Sequence, residues 1–181
     1  MKADLHERLT KIKVLVFDID GVLTDGKIYL SGDEEETKCF FAKDAPRIAI
    51  ALRGGLLVVF LTARRCQAVE RRARELKTIL IYKQELKEKG VKLMDELKVR
   101  FDAQPEEIFY TGDDWSDLYL MKQSGACATP LDGSSENKEI ADIITECKGG
   151  EGVAAEVVET VMRAQNIWDK YSTEYKSELI Y

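Results

Sequence analysis

Short, unbroken apolar runs alternate along this chain with stretches of helical periodicity. Val14-Leu15-Val16-Phe17 runs into Asp18, and the run at 56–61 ends at Thr62. Residues 78–82 and 108–112 repeat the design, and 126–129 and 143–145 are weaker strands of the same kind. Runs that are apolar at every position, rather than at alternate ones, predict strands covered on both faces, as in a parallel sheet. Helical spacing fills the gaps over 45–53, 67–77, 91–101, 116–123 and 152–170. Val69, Ala73 and Leu76 share one helix face; Val91, Met94, Leu97 and Phe101 share another. Gly54-Gly55 and Gly125 stand as helix stops. Strand–helix alternation of this kind predicts an α/β fold, a doubly wound and mainly parallel sheet. Such sheets bind ligands beyond the carboxyl ends of their strands.

One segment, 27–41, departs from this rhythm. Ile28 and Leu30, then Cys39 and Phe41, flank the polar tip Ser31-Gly32-Asp33-Glu34-Glu35-Glu36. This predicts a β-hairpin inserted after the first strand. No repeat, linker or low-complexity stretch divides the chain, so residues 1–181 are expected to form one domain.

Composition narrows the function classes. Of 181 residues 45% are hydrophobic and 33% charged, as in an ordered globular protein. The longest apolar run has six residues, 56–61, against the ~20 of a membrane-spanning helix. The start, MKADLHERLTK, lacks the apolar centre of a secretory signal, and a cytoplasmic protein is expected. The net charge of -6 argues against a nucleic-acid partner. The cluster Arg64, Arg65, Arg71, Arg72 and Arg74 is read as a solvated helix face. Cys39, Cys66, Cys127 and Cys147 make no CxxC pair and are read as small buried hydrophobes. The single histidine, His6, lies in a polar helical stretch, which leaves no histidine for a Ser–His–Asp mechanism.

The chemistry concentrates at strand ends. In Asp18-Ile19-Asp20-Gly21-Val22-Leu23-Thr24-Asp25-Gly26, alternation puts Asp18 and Asp20 on one side of an extended backbone. Two carboxylates so close need a shared proton or a hard cation such as magnesium. A calcium loop is excluded, because the twelfth position from Asp18 is Tyr29 rather than glutamate. Gly112-Asp113-Asp114-Trp115-Ser116-Asp117 follows another strand, with Asp114 and Asp117 at a helix start. Two acid clusters at the carboxyl edge of one sheet predict a metal site. Thr62 offers a hydroxyl for an anion or a helix cap, and Lys83, Lys87, Lys89 and Lys92 offer a countercharge. Together these groups suit phosphoryl transfer through an aspartate.

In this order the motifs resemble the haloacid dehalogenase superfamily: DxD, then Thr62, then a lysine, then Asp113/Asp114. The resemblance implies a Rossmann-like core with Asp18 as nucleophile and Asp20 as general acid/base. Magnesium would be held by Asp18, Asp20 and Asp113, with Asp114 beside them. Phosphoryl and substrate contacts would come from Thr62, Arg64, Lys89, Asp25 and Lys38. DIDGVLTDG, the hairpin ending in Lys38-Cys39-Phe40, GDDWSDL and Gly149-Gly150-Glu151-Gly152 resemble the capless branch that cleaves sugar-acid phosphates. That branch implies a small phosphorylated sugar acid as substrate and a homotetramer with walls contributed by neighbouring chains. The intervals from Asp20 to Thr62 and from Thr62 to Gly112 leave no room for a cap domain. A receiver domain has similar residues in the wrong order.

Three departures from the branch stand out. Its Asp-Gly-x-Gly-Ile reads Asp44-Ala45-Pro46-Arg47-Ile48, its Thr/Ser-Gly-Arg reads Thr62-Ala63-Arg64, and an arginine is replaced by Ala155. A gapless count also places Gly90 at the lysine position, with Lys89 the nearest substitute and Lys87 and Lys92 behind it. These features motivate an alternative expectation, a weakly active or non-catalytic homologue that partners a sugar-nucleotide enzyme.

Overall fold

The computed structural model describes residues 3–30, 36–88 and 92–178. In chain order the elements are α1 (Ala3–Thr10), β1 (Val14–Asp18), β2 (Tyr29–Leu30), β3 (Glu36–Thr37), α2 (Asp44–Arg53), β4 (Leu57–Thr62), α3 (Gln67–Leu76) and β5 (Ile79–Tyr82). There follow α4 (Lys83–Glu88), α5 (Leu93–Phe101), β6 (Ile108–Thr111), α6 (Leu118–Gln123), β7 (Ala126–Thr129), α7 (Ser135–Ile140), β8 (Ile143–Ile144), α8 (Val153–Ala164) and α9 (Trp168–Glu178). Six strands form one parallel sheet in the order β5-β4-β1-β6-β7-β8. The doubly wound α/β expectation therefore holds.

Alternation within each strand explains why the runs are apolar throughout. Leu15 and Phe17 of β1, Val58 and Phe60 of β4 and Phe109 of β6 face a core shared with α1, α2, α3, α8 and α9. Val14, Val16, Val59, Leu61, Ile108 and Tyr110 face the opposite core, filled by Met94 and Leu97 of α5 and Leu120 and Met121 of α6. Helices cover both sides, so the charged and hydroxyl-bearing residues of these strands gather at their ends, with Tyr110 the exception because its hydroxyl reaches Asp117 at 2.7 Å. The chain winds from β1 outward through β4 and β5, then crosses to β6 on the other flank of β1. That reversal puts a crevice at the carboxyl end of β1.

Several expectations change. The hairpin pairs Tyr29 with Thr37 and Leu30 with Glu36 in antiparallel register, and the rest of its tip lies outside the described residues. Its apolar side chains Ile28 and Leu30 are exposed rather than packed on the core. The helix expected over 152–170 is two helices. Asn166 takes a left-handed conformation (φ 58), and the Ile167 N–H returns to the Met162 carbonyl at 3.0 Å, closing α8. Beyond that break, Trp168 is buried and Tyr171 and Tyr175 pack on the core, which seats α9 against it. Arg53 stacks 5.0 Å from the Tyr175 ring and pairs with Glu178 at 2.6 Å. Of the cysteines, Cys66 and Cys127 are buried as expected, whereas Cys39 is exposed. The arginine cluster is largely solvated, with Arg72 the half-buried exception, under the Phe40 ring at 5.9 Å.

The departing Ala45-Pro46-Arg47 has a local explanation: it forms the first turn of α2, where a proline removes no helical hydrogen bond. Asp44, at the head of that turn, is buried and accepts the Ala155 N–H at 2.9 Å, so α2 caps α8. Burial pushes Asp44 up to about 6, against the opposing pull of the Ala155 N–H, Arg72 and Arg47.

Candidate active site

The carboxyl ends of four strands, β1, β4, β5 and β6, meet at the crevice. β1 delivers Asp18 in extended conformation, and the chain then makes a wide turn closed by the Thr24 N–H on the Ile19 carbonyl at 3.1 Å. Within it, Asp20 keeps an extended backbone and Gly21 swings to φ 87. A side chain at Gly21 would be strained by that angle and would also overlap the Asp113 carboxylate, so glycine is what lets the β1 and β6 loops approach. Gly149 and Gly150 lie against the outside of the same turn; the Gly150 N–H donates to the Val22 carbonyl at 3.0 Å.

From β6, Gly112 leads to Asp113 and a single tight helical turn carrying Asp117. Carboxylate oxygens of Asp18, Asp113 and Asp117 lie within 4.8 Å of one another. The family resemblance put Asp20 and Asp114 with Asp18 and Asp113 around the magnesium; the structure gathers Asp117 with Asp18 and Asp113. Asp114 is exposed at the head of the turn, where its N–H donates to Asp117 Oδ2 at 3.4 Å. The neighbouring Asp113 N–H donates to the same oxygen at 3.1 Å. Asp117 Oδ1 accepts from the buried Tyr110 hydroxyl at 2.7 Å and from Lys83 at 2.9 Å.

Among the described residues, Lys83 is the lysine that reaches these acids. It follows directly on β5, and its ammonium bridges Asp18 (2.7 Å) and Asp117 (2.9 Å). Burial works against its charge, but the two carboxylates outweigh that cost and hold its pKa above the ordinary lysine value. Lys89 lies outside the described residues, and Lys92 is exposed at the head of α5. Lys83 shares with Asp18, Thr62 and Asp113 a place at a strand's carboxyl end, a signal that a count back from Gly112 passes over.

Thr62 ends β4 beside Asp18, one residue past the Leu61 that pairs with it. Its buried hydroxyl accepts the Arg64 N–H at 3.1 Å and closes the loop into α3. Arg64 is half-exposed and faces Glu36 at 3.4 Å. Lys38 is buried, its ammonium donating to Asp20 Oδ1 and to Glu36 Oε1, the latter at 2.6 Å. Asp25 stands apart from the acids. It accepts from the Tyr29 hydroxyl at 2.6 Å and from the Lys27 N–H at 3.2 Å, and the Tyr29 contact holds its pKa below the usual value. Ala155 lines a separate cavity of about 620 Å3, with Phe41, Arg47 and Glu151, beside the Gly149–Gly152 loop.

The electrostatics point to a cation. Burial pushes Asp18 up to about 7, Lys83 pulling it down and Asp117 and Asp20 pushing it further. Burial together with Asp18, Asp117 and Asp114 pushes Asp113 up to about 8. Asp18 and Asp113, which resist ionisation, and the neighbouring Asp117 converge as a donor set of hard oxygens, and it fits a small divalent ion.

The chain is 33% identical to the 3-deoxy-D-manno-octulosonate 8-phosphate phosphatase of Yersinia pestis, over 90% of this chain and 86% of that protein. It belongs to that family, within the haloacid dehalogenase superfamily. No protein-family model matches the chain. The haloacid dehalogenase fold is also evident in solved structures. The 3-deoxy-D-manno-octulosonate 8-phosphate phosphatase of Moraxella catarrhalis, solved with magnesium, phosphate and the sugar acid, superposes with a TM-score of 0.88. It shares 27% identity and covers 97% of this chain and 99% of its own. The cobalt-bound phosphatase of Haemophilus influenzae gives a TM-score of 0.81 at 26% identity, over 90% of this chain and 95% of its own. Like the capless branch of the family, the chain passes from Asp20 to Thr62 and from Thr62 to Gly112 with only the hairpin and core elements among the described residues between.

Proposed function

We propose that this protein is a magnesium-dependent phosphatase that hydrolyses 3-deoxy-D-manno-octulosonate 8-phosphate through a phosphoryl-aspartate on Asp18. The observation that carries this reading is the meeting of Asp18, Asp113, Asp117 and Lys83 at one strand edge. Asp18, the Asp20 carbonyl and Asp113 would hold the magnesium. The bound ion supplies charge neutralisation for the phosphoryl group and for the acids around it.

The chain's own residues do the rest. Asp18 attacks phosphorus, forming a P–O bond as the bond to the sugar oxygen breaks. Asp20 gives that oxygen its proton. Asp20, now a carboxylate, takes a proton from water as the water oxygen attacks phosphorus, which releases phosphate and restores Asp18. Lys83 and Thr62 hold the transferring group, and Asp117 keeps Lys83 in place. A panel of phosphate-release assays tests the substrate. The octulosonate 8-phosphate is expected to exceed nonulosonate 9-phosphates and hexose phosphates in kcat/KM by at least about tenfold. Equal values across the panel would remove the substrate assignment.

The ion has a second expected signature. Asp18 and Asp113 have folded pKa values, about 7 and about 8, above the ordinary 3.8. Their contribution to stability without metal is therefore complete at low pH and is lost as pH rises through 7 to 8. Magnesium must displace those protons, so its affinity rises over the same window. Thermal melts should show a larger magnesium-induced stabilisation at about pH 8.5 than at about pH 6. Equal stabilisation at both would contradict the assignment of these ligands.

We also infer a cytoplasmic homotetramer. Ile28, Tyr29 and Leu30 are exposed on the hairpin, and Trp115 and Tyr119 are exposed in the segment that follows Asp113. A lidless site needs some other wall against water. Sedimentation at micromolar concentration should give four times the 20.5 kDa chain mass. A monomer would refute it.

A further inference from the structure

The hairpin does more than offer apolar surface. Its second arm carries Lys38, whose side chain is 1% exposed although it lies at the mouth of the site. The ammonium is spent on two carboxylates, Asp20 Oδ1 and Glu36 Oε1. Glu36 is itself braced: its other oxygen faces Arg64 Nε at 3.4 Å, and its backbone carbonyl accepts from Cys66 Sγ at 3.3 Å, at the head of α3. Asp20, by contrast, has Lys38 as its one side-chain hydrogen-bond partner among the described residues, and its carboxylate is 31% exposed.

A substrate-contacting lysine should have a donor facing the open crevice. This one is enclosed, and leaving its two carboxylates would strand a buried charge. The Asp20 carboxylate, standing alone on a turn, would otherwise sample several rotamers. Charge-assisted hydrogen bonding to one of its oxygens removes that freedom and leaves the other oxygen for proton transfer.

We propose that Lys38 is a positioning residue, held by Glu36, that fixes the orientation of Asp20 toward the leaving oxygen. This rests on the phosphatase reading above, with Asp20 as general acid, and it gives Lys38 a duty other than substrate contact.

Leaving-group dependence separates the roles. A sugar alkoxide needs a proton as it departs, whereas p-nitrophenolate leaves without one; both substrates need the same attack by Asp18. Lys38→Met, Lys38→Arg and Glu36→Gln are assayed with the octulosonate 8-phosphate and with p-nitrophenyl phosphate. Lys38→Met should lower kcat on the sugar phosphate by about 10- to 100-fold while KM stays within about twofold. On p-nitrophenyl phosphate its loss should be no more than about threefold. Lys38→Arg should recover most of the sugar-phosphate rate, and Glu36→Gln should fall between wild type and Lys38→Met. Equal losses on both substrates would mark Lys38 as structural and overturn the proposal. So would a raised KM for the sugar phosphate with kcat unchanged, the mark of a substrate contact. Wild-type protein inactive on both substrates would instead remove the phosphatase reading itself.

Discussion

Asp18→Asn abolishes turnover, with an expected loss of at least ~10³-fold in phosphate release. Asparagine keeps the shape and the packing at the end of β1 but has no anionic oxygen to attack phosphorus. The same change affects stability in the opposite direction. Asp18 is a buried carboxylate facing Asp113 and Asp117 and is pushed up to about 7. Removing its charge relieves repulsion that the metal-free fold must bear. The variant should therefore melt higher than wild type without magnesium at about pH 8, and gain less when magnesium is added. Loss of activity alone could come from a damaged fold. Loss of activity with a raised metal-free melting temperature could not. A variant that still turns over at near the wild-type rate would end the covalent mechanism.

Lys83→Met is the second large effect. The ammonium of Lys83 neutralises Asp18 and Asp117 and faces the place where a phosphoryl group meets Asp18. Its removal should cost at least ~10²-fold in kcat/KM, the magnitude expected when a preorganised charge is removed from a transition state. It also leaves two buried carboxylates without their cation, destabilising the metal-free protein by about 3 kcal/mol. Lys89→Met and Lys92→Met should leave kcat/KM within about twofold of wild type. The comparison decides between two ways of locating the lysine. A large loss at Lys89 or Lys92 with Lys83→Met near wild type would return the role to that residue. The intact bridge at Lys83 also weakens the case for a non-catalytic homologue, because the displaced lysine was one of its motives.

Much of the fold was legible because burial on both faces leaves a plain mark on a strand. A run such as Val14-Leu15-Val16-Phe17 can be apolar throughout only where helices cover both sides, and Asp18 is polar because the strand ends there. The acids were legible for the same reason. What was less legible depended on local turns and on distances between elements remote in sequence. Asp114 was named with the metal residues and Asp117 only as an acid at a helix start; the tight turn after Asp113 leaves the first exposed and the second buried. Lys83 was passed over because a gapless count back from Gly112 cannot register the length of chain between β5 and β6. Lys38 was legible as a residue of interest, but its partners Asp20 and Glu36 required the hairpin to fold back over the β1 loop. The break at Asn166 left no apolar gap, since Trp168, Tyr171 and Tyr175 continue the core beyond it.

The central claim is magnesium-dependent release of phosphate from 3-deoxy-D-manno-octulosonate 8-phosphate. The most direct measurement follows inorganic phosphate at neutral pH from the purified chain with magnesium, after chelation, and after magnesium is restored. Stoichiometric phosphate release that stops on chelation and returns with the metal is the predicted result. Release that continues unchanged in excess chelator, or no release under any of the three conditions, would contradict it.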